Sequence, residues 1–145
     1  MFKHILIPTD GSAMAKSMIP DCVAFAKEIG AEVTAFHVMP GLSLFAYQAE
    51  ILVDTREQFA EECIACADGY LSVVATAAKD AGVKYDTCYV TSDYPYEAII
   101  QAAKEKGCDL IAMASHGRRG MKGLLLGSET QKVLTHSLIP VLVYR

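Results

Sequence analysis

A chain of 145 residues can bury one real core but is too short to divide comfortably into two, so a single domain spanning 1–145 is expected. Although 52% of the residues are apolar, no uninterrupted apolar run approaches the roughly 20 residues that cross a bilayer, which argues against a membrane protein. With 13 Lys and Arg against 17 Asp and Glu the formal charge is −4, which argues against the broad basic face that captures nucleic acid but leaves room for a local anion site.

The start, MFKHILIPTDGS, lacks the basic head and long apolar middle of an export signal, because Pro8, Thr9 and Asp10 cut the apolar run short. A cytoplasmic protein is therefore expected. In that setting 5 cysteines, Cys22, Cys63, Cys66, Cys88 and Cys108, read as reduced thiols rather than a disulfide framework.

In chain order, HILIP (4–8) reads as a short strand ending at a turn. MAKSMIPDCVAFAKEIG then repeats apolar residues at helical spacing, with Ser12 as a candidate N-cap and Gly30 as the stop. Pro20 falls inside that pattern and is expected to kink the helix or delay its start. EVTAFHV (32–38) is β-branched and aromatic, a second strand closed by MPG. Residues 42–55 show no clean period, whereas 56–82 are rich in alanine and charge, a long helix weakened by Gly69 and ended by Gly82. VKYDTCYV (83–90) alternates as a strand, and SDYPYEAIIQAAKEKG puts Pro95 in a first helical turn and Gly107 just past the last. CDLIAMAS (108–115) holds an apolar run of the kind expected when both faces of a strand are covered by helices. A helix over about 128–137 and a last strand in IPVLVYR complete the series.

Strands alternating with helices require right-handed crossovers, which give a doubly wound α/β domain with a five-stranded parallel sheet flanked by helices. Ligands of such sheets sit outside the carboxyl ends of the strands, where strand order reverses. Two segments occupy such places, PTDGS after the first strand and SHGRRGMKGLLLGS after the fourth.

In the second segment Gly117, Gly120 and Gly123 permit positive φ and close backbone approach, so that successive N–H groups can converge on an anion. Gly127 and Ser128 fall where a helix begins, and the hydroxyls of Ser128 and Thr130 add donors to that amino end, the physical makings of a phosphate cradle. The plainer alternative is a surface loop ending in a serine N-cap. Arg118, Arg119 and Lys122 either neutralise phosphate or stay solvated, and His116 either touches phosphate or closes the strand. No Walker G-x-x-x-x-G-K-[ST] is present, and the loop stands too late in the chain for a standard dinucleotide fingerprint. His4, His37 and His136 read as structural or exposed, with no metal-ligand spacing around them. CIAC (63–66) stands alone within a helix, and small buried thiols packing one helix face explain it better than redox or metal chemistry.

HILIPTDGS, DLIAMASHGRRGMKGLLLGS and IPVLVYR, in that order and at this length, resemble the ATP-binding branch of the universal stress protein family over essentially the whole chain. The branch is marked by glycine, two residues, glycine, nine residues, then glycine and serine or threonine. Gly117, Gly127 and Ser128 match, while Ala114 stands at the first glycine.

The resemblance implies a Rossmann-like sheet of the adenine nucleotide alpha hydrolase type, strand order 3-2-1-4-5. It implies a site in which Pro8, Thr9 and Asp10 lie near adenine and ribose, and Val38 offers backbone hydrogen bonds to the adenine edge. Met113 and Ala114 would line the ribose side, with Gly117, Gly127, Ser128, Glu129 and Thr130 on the phosphates. Glu129 departs from the neutral residue preferred at its place.

The implied ligand is ATP, or ADP or AMP, with Mg²⁺ held through the phosphates, and no dedicated metal ligands or catalytic residues are expected. The implied role is a nucleotide-dependent stress-response regulator or sensor that is not an enzyme. A homodimer paired through the C-terminal strand is expected, because an uncovered apolar edge is otherwise a liability. Two alternatives stay open: a nucleotide-free homodimer acting by protein contact, and a slow ATPase or self-phosphorylating protein using Ser128 or Thr130.

Overall fold

Nine elements follow one another in the computed structural model, which describes residues 1–41, 53–117 and 125–145. They are β1 (His4–Pro8), α1 (Ala13–Ile29), β2 (Glu32–Met39), α2 (Val53–Ala81), β3 (Tyr85–Thr91), α3 (Pro95–Glu105), β4 (Leu110–Ala114), α4 (Ser128–His136) and β5 (Val141–Tyr144). The strands form one five-stranded sheet in the order β3-β2-β1-β4-β5, and every neighbouring pair is parallel. His4 to Pro8 of β1 run beside Glu32 to Phe36 of β2, and Ile5 and Leu6 lie beside Leu110 and Ile111 of β4. The order reverses between β1 and β4, so the chains leaving these two adjacent strands diverge and open a crevice at their carboxyl ends.

Alternation along the strands divides the core in two. Ile5, Ile7, Val33, Ala35, Leu110 and Ala112 point to one face, where they meet Met18, Ile19, Cys22, Val23 and Ala26 of α1 and Leu71, Val74 and Ala78 of α2. Leu6, Phe36, Ile111 and Met113 point to the other, against Ile99, Ile100, Ala102 and Ala103 of α3 and Val133 of α4. Both faces of the central strands are thus covered, which is why Ile5–Ile7 and Leu110–Ala114 are apolar without interruption. Among the described residues no helix is long and apolar enough to cross a membrane.

Pro20 neither delays α1 nor divides it. The helix begins at Ala13, with Ser12 Oγ accepting from Ala15 N at 3.2 Å, and continues through Pro20 to Ile29. The proline ring lies on the exposed side, and burial of the opposite face outweighs the donor missing for the carbonyl of Lys16. Pro20→Ala restores that donor. It is expected to raise stability by about 1–2 kcal/mol in urea titration, the helix-interior penalty of proline less the gain in unfolded-chain entropy. The unassigned segment 42–55 gains only the start of α2 at Val53; residues 42–52 lie outside the described residues, as do 118–124 with Arg118, Arg119, Gly120, Lys122 and Gly123.

Candidate functional site

At the exit of β1 the main chain is tied to β2. Thr9 N donates to Phe36 O at 2.8 Å, and His37 Nδ1 donates to Thr9 O at 2.7 Å. The turn then closes on itself: Gly11 N donates to Thr9 Oγ1 at 3.2 Å, and Ser12 N donates to Asp10 Oδ1 at 2.9 Å. One carboxylate oxygen of Asp10 therefore serves the turn. The other reaches across the crevice to Gly117, where any Cβ would overlap Oδ2 of Asp10. Two residues far apart in sequence meet at the switch point, and glycine is required for space. Gly117 is not among the glycines at positive φ, so the conformational reason that the sequence suggests for it does not apply.

The exit of β4 is also held close to the entrance of α4. Gly127 N donates to Ser115 O at 2.6 Å, and a Cβ on Gly127 would lie 3.2 Å from Ser115 O and 3.3 Å from His116 Cα. Gly127 is the N-cap of α4, with φ −67° and ψ 155°, and supplies no side-chain cap. The ladder of α4 begins when Gln131 N donates to Gly127 O at 3.0 Å, so the N–H groups of Ser128, Glu129 and Thr130 have no partner within the helix.

Several sequence expectations change here. The N-cap is Gly127, one residue before the serine cap of the plainer reading, and Ser128 is the exposed first residue of the helix. The Gly127 N–H is committed to Ser115, so this glycine shapes the site by close approach instead of donating to a phosphate. Thr130 is buried and its Oγ1 donates to Ala114 O at 3.0 Å, which ties α4 to the end of β4 and leaves only its main chain for a ligand. Met113 likewise keeps its side chain in the core between the sheet and α3, and the Ala114 methyl packs against the α1/α2 cluster.

Val38 sits two residues beyond Phe36, the last β2 residue paired with β1. Main-chain groups two apart on a strand face the same way, so the N–H and C=O of Val38 point to the side from which β1 has already turned away. Pro8, Thr9, Asp10, Val38, Gly117 and residues 127–130 thus lie along one carboxyl-end crevice.

The Glu129 carboxylate turns from the helix end to α3. Its Oε2 accepts from Tyr96 N at 2.9 Å in the first turn of α3, and its Oε1 lies 3.2 Å from Lys132 Nζ. An acidic group at a helix amino end is favourable, which explains a charge that a phosphate site would otherwise disfavour. Glu129→Gln keeps an acceptor for Tyr96 N and removes the charge. Anion binding at this helix end is expected to strengthen about two- to fivefold in calorimetric titration with inorganic phosphate, the size of a partly screened charge effect.

The two cysteines of CIAC differ in exposure. Cys63 is half-buried and Cys66 exposed on α2, which corrects the expectation of two buried thiols. Burial pushes the Cys63 thiol up, helped by the neighbouring Cys66 and Glu62, the reverse of an activated thiolate. Cys22 and Cys108 are pushed up to about 12 by burial. Among the described residues no group of three or more His, Cys, Asp or Glu side chains is arranged to hold a metal ion. An open depression of about 310 Å³ lies at the amino ends of the strands, lined in part by Lys3, Lys27, Glu32 and Lys84, and none of the sequence-predicted residues borders it.

His37 and Tyr70 stand behind the β1–α1 turn without a motif to mark them. His37 is buried beside Thr9, its ring 5.1 Å from that of Tyr70 in an edge-on contact, and Tyr70 packs beneath Gly11. A signal existed for the first: it directly precedes Val38 at the carboxyl end of a strand.

A sequence model described as the universal stress protein family matches residues 1–145. Universal stress protein YxiE of Bacillus subtilis is 33% identical, the match covering 100% of both chains. The solved structure of MJ0577, a universal stress protein of Methanocaldococcus jannaschii, superposes with a TM-score of 0.83 at 30% identity, covering 99% of this chain and 95% of that one. A universal stress protein from Archaeoglobus fulgidus, solved in complex with dAMP, shares the fold with a TM-score of 0.69 at 18% identity, covering 100% and 98%. The sheet order, the crevice between β1 and β4 and the full-length match agree: this chain belongs to the universal stress protein family.

Proposed function

We propose that this chain binds ATP, or ADP or AMP, in the crevice between β1 and β4 and acts as a nucleotide-dependent regulator. The observation that carries the reading is the close meeting of Asp10, Gly117 and Gly127 beside the amino end of α4, whose first N–H groups have no partner within the helix. The ribose goes to Asp10, the adenine edge to the main chain of Val38, and the phosphates to the N–H groups of residues 128–130 and the Ser128 hydroxyl. Met113 and Ala114 border the ribose through their main chain. Mg²⁺ enters with the phosphates. The dAMP complex of the Archaeoglobus fulgidus protein supports a nucleotide as the ligand class.

Action is by binding, without turnover, in the cytoplasm. The chain dimerises through β5, the last strand of the sheet, whose residues are all half-buried and which follows the almost fully exposed Leu138. The test is to denature the purified protein and assay the supernatant for adenine nucleotide, then to titrate the refolded or stripped protein with ATP, ADP and AMP. Saturable binding of one of them is expected, and absence of both released and added nucleotide would remove the reading. Sedimentation over a range of concentrations checks the dimer.

A further inference from the structure

The β1–α1 turn carries Asp10 between two residues, Thr9 and Gly11, that are held by side chains from outside the turn. Just past Pro8, the end of β1, Thr9 N donates to Phe36 O and so holds the peptide before Thr9. The Thr9 carbonyl is held by His37 Nδ1, and since a carbonyl can only accept, that nitrogen carries hydrogen. The imidazole is itself buried and set edge-on against Tyr70 of α2, 71° between the planes. Tyr70 also forms the floor under Gly11, at φ 74°, so closely that a Cβ there would overlap the ring. Two side chains from β2 and α2 thus support Thr9 and Gly11, the residues on either side of Asp10.

We propose that His37, seated on Tyr70, is a positioning residue for the nucleotide: it fixes the Thr9–Asp10–Gly11 turn so that the Asp10 carboxylate faces the ligand. The inference rests on the nucleotide reading above, and it links the position of α2 to the ribose side of the site.

The experiment is a double-mutant cycle read by calorimetric titration with ATP, on wild type, His37→Leu, Asp10→Ala and the double variant, with His37→Asn alongside. His37→Leu is expected to weaken ATP by about tenfold, the size of one lost buried hydrogen bond. In the Asp10→Ala background the same change is expected to cost under about twofold, because the carboxylate that it positions is gone. His37→Asn, which keeps a donor near Nδ1, is expected to recover most of the loss, whereas general damage to the core would not be repaired. Equal penalties in both backgrounds, or His37→Leu binding within about twofold of wild type, overturn the proposal while leaving the nucleotide reading intact. A wild-type chain that binds no nucleotide overturns both. If His37→Leu does not fold, Tyr70→Leu carries the same cycle, with the same expected coupling to Asp10 and the same additive result against it.

Discussion

Gly127→Val is expected to reduce ATP binding by at least about a hundredfold, or below detection, in calorimetric titration. The reason lies in the wall that the new side chain meets. Its Cβ alone would stand 3.2 Å from Ser115 O and 3.3 Å from His116 Cα, both main-chain atoms that cannot rotate away. The two further methyls force the exit of β4 and the entrance of α4 apart, or project into the cradle itself. The Gly127 N–H bond to Ser115 O, 2.6 Å long, sets the spacing of these segments and would be strained first. Overpacking costs about 1–3 kcal/mol of stability as well. The decisive comparison is therefore affinity measured at a temperature where the variant is still folded. Unchanged affinity in a folded Gly127→Val would move the nucleotide elsewhere.

The largest effect on stability is expected at Gly11. With φ 74°, alanine there carries the left-handed penalty of about 1–2 kcal/mol. Its Cβ must also displace the Tyr70 ring, adding about 1–3 kcal/mol of overpacking. Gly11→Ala should lose about 2–5 kcal/mol in urea denaturation, and Gly11→Ala combined with Tyr70→Leu should regain the steric part while keeping the backbone part. A single variant as stable as wild type would mean that the turn and the α2 floor are not in contact.

Much of the fold can be read from sequence because its signals are local. Cys108–Ser115 reads as a covered strand since no polar residue interrupts it after Asp109, and β4 is buried at Leu110 to Met113 with helices on both faces. Ser12 and Pro95 mark helix starts through chemistry confined to one turn. Pro20 misleads for the opposite reason: its local penalty is outweighed by contacts of Met18, Ile19 and Cys22 with strands elsewhere in the chain. The site is legible as a loop but not in its details. Either Gly127 or Ser128 could cap α4 on sequence grounds, and the choice falls to Gly127 because its N–H bonds to Ser115. Thr130 is diverted from the ligand by a carbonyl 16 positions away, and Glu129 by a main-chain donor 33 positions away. No period or motif encodes partners so distant. His37 and Tyr70 escape notice likewise, since what makes them matter is a neighbour across the sheet.

The unequal burial of the thiols gives the protein a built-in unfolding reporter. Cys66 is open to an alkylating reagent in the native state, whereas Cys22 and Cys108 lie in opposite core layers, one beside α1 and α2 and the other beneath α3. Mass spectrometry after a timed iodoacetamide pulse should show Cys66 labelled at once. Labelling of Cys22 and Cys108 then times the opening of each layer, and a bound nucleotide should delay whichever layer it holds closed.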